Sequence, residues 1–115
     1  MTGNKILTLL QEIIDNIVRI ETITKKITYE KFLEDDETYL ATIEMIEKIS
    51  AAGKDVPTIV RVRYSLIPWN EISGLRQAVN HGNLGTDPVK VWSVATDYLQ
   101  VLKPQLEQMI EEYCR

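Results

Sequence analysis

Apolar residues recur at Ile6, Leu10, Ile13, Ile17 and Ile20, in steps of four and three. That spacing makes one stripe of an amphipathic helix over about residues 4–26. Glu12, Asp15, Arg19, Glu21, Lys25 and Lys26 fill its other faces. So many β-branched residues weaken intrinsic helicity, so this helix depends on tertiary packing. Thr28, just ahead of Tyr29-Glu30-Lys31-Phe32-Leu33, predicts a capped short helical turn. The acidic run Glu34-Asp35-Asp36-Glu37 suits the positive end of the next helix; ligand geometry argues against a metal site there.

A second long helix is predicted over 36–52, with Leu40, Ile43, Ile46 and Ile49 inward and Gly53 ending it. Ile59 to Tyr64 alternates like a strand, but a lone strand has nothing to pair with, so residues 56–66 read as loop or short helix. Pro68 opens a third helix over 69–80, burying Ile72, Leu75 and Val79. Gly82-Asn83-Leu84-Gly85 is a loop, Thr86 or Asp87 caps a fourth helix, and Pro88 takes its first position. Trp92, Ala95, Leu99, Leu102, Leu106, Met109 and Tyr113 continue it as one seam, kinked at Pro104 without a change of buried face. The expectation is an all-α fold: an up-down bundle of four principal helices with short extra helical turns, one domain over 1–115.

Composition narrows the function more than the fold. At 115 residues, 44% apolar and 26% charged, the chain is neither disordered nor fibrous. No apolar run exceeds three residues, so nothing suggests a bilayer span or a secretory leader. A reducing cytoplasm and no membrane partner are expected. Cys114 is the sole cysteine and His81 the sole histidine, which excludes an internal disulfide and argues against structural zinc. Neither a phosphate-binding glycine loop nor a nucleophile elbow is present, and Cys114 has no basic partner nearby.

Net charge is −4, unlike a protein that coats nucleic acid nonspecifically. Only residues 53–90 carry a cationic excess, five Lys/Arg against three Asp/Glu, through Lys54, Arg61, Arg63, Arg76 and Lys90. Arg76 and His81 stand five residues apart, about 140° around a straight helix, so they do not share a face. Arginine with histidine suits metal-free phosphodiester cleavage: the imidazole moves a proton, and the fixed cation stabilises the charged phosphorane. Two proton transfers are needed from one histidine, which a two-fold dimer would supply twice. The plainer reading of His81 is an imidazolium favoured by a helix C-terminus. Trp69 and Trp92 fit core anchors better than base-stacking platforms.

The stretch from Ile67-Pro68-Trp69 through Arg76-Gln77-Ala78-Val79-Asn80-His81 resembles the signature of the HepT-like proteins of the HEPN superfamily. Asp87-Pro88-Val89-Lys90-Val91-Trp92, Tyr29 to Asp35 and Leu102-Lys103-Pro104 are similar to other family segments. The resemblance implies a metal-independent endoribonuclease, the toxin of a toxin–antitoxin pair. Its cleft would lie at a homodimer interface, and its partner would be a minimal nucleotidyltransferase antitoxin. Arg76 would stabilise phosphate and His81 would be the acid/base, with no cofactor. Gln77, Asn80, Asn83, Arg61 and Arg63 are the further candidates for holding RNA. Asn83 stands where the family pattern has a tyrosine that the antitoxin modifies with AMP, and Gln77 where asparagine is common. An inactive HEPN module that binds nucleotide or a nucleotidyltransferase is the alternative.

Overall fold

A computed structural model describes residues 3–80 and 87–114, and every regular element among them is helical. Helix α1 (Gly3–Thr24) presses Leu10, Ile13, Ile17 and Ile20 fully into the core. Each such burial contributes about 1.5–3 kcal/mol, well above the roughly 0.5 kcal/mol propensity loss of a β-branched residue, so packing holds this helix. Helix α2 (Tyr29–Glu34) begins as predicted, with the Thr28 hydroxyl accepting from the Lys31 amide at 3.1 Å. Helix α3 (Asp36–Asp55) begins at Asp35, whose carboxylate accepts from the Thr38 amide and hydroxyl. Those hydrogen bonds hold the Asp35 carboxyl below the usual aspartate range.

Helix α3 differs from expectation twice. Ile46 and Ile49 are buried, but Leu40 is 62% exposed. Three steps of three residues turn through 900°, so Leu40 and Ile49 face opposite sides of the helix. The buried line runs instead through Thr42, Ile46, Ile49 and Gly53. Gly53 lies within α3 rather than beyond its end because α5 crosses there: a Cβ on Gly53 would stand 2.7 Å from Ile72 Cγ2.

Residues 56–66 contain α4 (Thr58–Arg63), the short helix among the alternatives. The predicted third helix is broken into α5 (Trp69–Ser73) and α6 (Leu75–Ala78). At the break, the Gly74 amide donates back to Asn70 and Glu71, and the Ser73 carbonyl accepts the Ser50 hydroxyl at 2.6 Å. The expected burial survives: Ile72, Leu75 and Val79 are all enclosed. Beyond the undescribed 81–86, Asp87 caps α7 (Pro88–Ser93), accepting from the Val89 amide at 3.0 Å. A π turn (Val94–Tyr98) joins α7 to α8 (Leu99–Tyr113), and Pro104 sits inside α8 without interrupting the buried face of Leu99, Leu102, Leu106 and Met109. Among the described residues no helix is long and apolar enough to cross a membrane.

Candidate functional site

Four residues are too few to sustain a helix, so α6 is placed by its two apolar ends. Leu75 and Val79 are sunk into the core, which leaves Arg76, Gln77 and Asn80 on the surface. Arg76 Nε lies 3.3 Å from Glu47 Oε2 on α3. With both side chains largely solvated, 65% and 42% exposed, such a pair adds at most about 1 kcal/mol to stability. The guanidinium borders a groove of about 350 Å³, where α3 contributes Glu44, Glu47, Lys48, Ser50, Ala51 and Lys54.

Arg61 is committed elsewhere. Its Nε donates to Val56 O at 2.9 Å, and its Nη2 donates to Gly53 O at 2.7 Å and Lys54 O at 3.1 Å. It thereby satisfies carbonyls at the C-terminal end of α3, where a cation also suits the helix dipole. The neighbouring Arg63 lies over the Tyr64 ring, 5.5 Å from its centre, and lines a different cavity of about 730 Å³ with Gln105, Met109 and Glu112. The structure therefore does not gather the three arginines: Arg76 stands with Lys48 and Lys54, and Arg61 braces the helix end that carries Lys54. His81 and Asn83 lie outside the described residues. The ends of their segment meet, with the Asp87 amide donating to Val79 O at 2.7 Å.

Trp69 is buried and donates from Nε1 to Tyr64 O at 3.0 Å; Trp92 rests against Phe32 and Tyr29, with ring centres at 5.0 and 5.8 Å. Trp69 is closed to a stacked base, and Trp92 is half-buried and engaged by other rings. Burial pushes the Tyr98 phenol well up, and the adjacent Glu71 carboxylate adds to the shift. Tyr98 therefore keeps its proton across the physiological range and is no general base there. Among the described residues no three His, Cys, Asp or Glu side chains converge as metal ligands.

The sequence pattern missed the α3 wall of the groove. Its signal is present: Glu44, Glu47, Lys48, Ala51 and Lys54 recur at helical spacing on one face. The family model for ribonuclease HepT-like proteins matches residues 13–109, which takes in both α3 and the Arg76–His81 stretch. The chain belongs to the HepT-like ribonuclease family. A Thermococcus cleftensis protein named as a probable ribonuclease HepT is 31% identical, covering 87% of this chain and 91% of its own. Two candidate RNases of Methanocaldococcus jannaschii are 29% and 30% identical, each over 90% of this chain and over 85% and 89% of their own. No solved structure matches this HepT-like chain.

Proposed function

We propose that this HepT-like chain is a metal-independent RNA endonuclease whose cleft forms between two copies, with Arg76 and His81 as its working pair. The observation that carries the reading is Arg76: an arginine on a solvent-facing groove, its guanidinium paired among the described residues through Nε to Glu47, within a chain of the HepT-like ribonuclease family. His81 accepts the ribose 2′-hydroxyl proton as the 2′ oxygen attacks phosphorus. The bond to the 5′ oxygen then breaks, and that oxygen takes a proton from the histidine of the second copy. Arg76 stabilises the extra negative charge on the phosphorane. The second copy answers the need for two proton transfers, since the sequence holds one histidine.

In the cell we assign the chain to the toxin side of a toxin–antitoxin pair in a prokaryotic cytoplasm, restrained by a minimal nucleotidyltransferase. Asn83 offers no phenol for adenylylation, so restraint here is direct binding or modification at another residue. The test is RNA cleavage in EDTA by wild type, Arg76→Ala and His81→Ala at matched dimer content. Each variant should lose about a hundredfold or more, the scale of removing a positioned acid/base or charge stabiliser. Equal trace cleavage by all three proteins would favour the non-catalytic module that binds nucleotide or a nucleotidyltransferase.

A further inference from the structure

Glu47 is an unexpected neighbour for a phosphate-binding arginine. A carboxylate beside an anion site costs affinity, and its exposed pair with Arg76 adds too little stability to account for it. What the contact does provide is orientation. The ion pair is made through Nε, and among the described residues no hydrogen bond and no other ion pair reaches the guanidinium. The two Nη groups remain as a planar fork, the edge that meets two phosphate oxygens at once. Farther along the same wall, Lys48 and Lys54 face the groove without an ion pair among the described residues. Between them lies the small side chain of Ala51; the Glu44 carboxylate lines the same groove, so its cations outnumber its carboxylates three to two.

Resting on the ribonuclease reading above, we propose that the α3–α6 groove is the seat of the RNA strand next to the scissile phosphate. Lys48 and Lys54 hold its backbone, and Glu47 is a positioning residue that aims Arg76.

Two arms test this, each using the full-length protein. In the first, cleavage is measured for wild type, Glu47→Ala and Glu47→Gln. A freed guanidinium should lower kcat about tenfold in Glu47→Ala. KM should stay level or fall, because a repelling carboxylate has gone. Glu47→Gln keeps a polar oxygen of the same reach beside Nε, so its kcat should return to within about threefold of wild type. An unchanged kcat in Glu47→Ala overturns the positioning role. A parallel loss of kcat and melting temperature in both variants makes the contact merely structural and overturns it too.

The second arm is independent of catalysis: binding of a single-stranded RNA carrying 2′-deoxyribose at the scissile position, across a salt series. Losing two phosphate contacts in Lys48→Ala/Lys54→Ala should flatten the slope of log Kd against log salt by about 1.4. An unchanged slope overturns the groove as strand seat. If wild type binds this RNA with the lysine-dependent slope but never cleaves RNA, the ribonuclease reading fails while the groove stands. If it neither binds nor cleaves, both fail.

Discussion

Substituting Gly53 by alanine tests how tightly α3 and α5 are keyed together. The new Cβ would stand 2.7 Å from Ile72 Cγ2 and 3.5 Å from the Ser73 amide nitrogen. Cγ2 is bonded directly to a branched Cβ, and Ile72 is fully buried, so no rotamer swing clears it. Relief needs a shift of the α5 backbone, against the 2.6 Å bond from Ser50 to Ser73. Overpacking of this kind costs about 1–3 kcal/mol. Alanine in a helix interior regains about 1 kcal/mol of propensity over glycine. The net expectation is a loss of about 1 kcal/mol, or about 3–6 °C in Tm for a chain of this size. Equilibrium urea unfolding of Gly53→Ala, Ile72→Ala and the double variant isolates the contact. In the Ile72→Ala background the obstructing methyl is gone, so Gly53→Ala should stabilise by about 1 kcal/mol, and the cycle should show coupling of about 2 kcal/mol. A Gly53→Ala variant that stabilises the wild type, or that costs the same in both backgrounds, would mean that α3 and α5 are not keyed together at this contact.

Arg61→Ala should cost about 1–2 kcal/mol in urea unfolding, because it strips a charged donor from three carbonyls at a half-exposed helix end. Arg61→Lys should recover less than half of that, since a point ammonium cannot reproduce the fork. Asp35 titrates below the usual aspartate range when folded, so its capping bonds support the fold above the unfolded pKa, and that support fades as pH falls through the lower folded value. The Tm difference between wild type and Asp35→Asn should therefore be level above about pH 5 and shrink on acidification below about pH 4.

Where a helix buries a stripe that repeats every three to four residues, the sequence shows it directly, as from Ile6 to Ile20 and from Leu99 to Met109. Leu40 misleads because spacing by threes alone rotates off the face, and no single-residue property reveals the drift. The break at Gly74 and the place of Gly53 depend on how α5 crosses α3, through contacts such as Ser50 to Ser73, 23 residues apart in the chain, that no local pattern encodes. Arg76 is legible as a candidate from its surrounding signature. Arg61 and Arg63 have the same composition signal, yet one caps a helix and the other lies over a tyrosine ring. Charge counting alone cannot separate an arginine spent on carbonyls from one left for phosphate.

The brevity of α6 makes Arg76 a poor candidate for transplantation. A peptide carrying Leu75–Ala78 would have no helix to present, and a loop grafted onto another scaffold would leave behind the core that grips Leu75 and Val79. Ownership of the arginine lies with that core, not with the residues on either side of it. Local fraying is therefore not a separate way to lose its placement. Arg76 leaves its station when α3 and α5 part, so its amide neighbours should exchange with solvent alongside the interior of α3, on the slow timescale of the whole molecule opening.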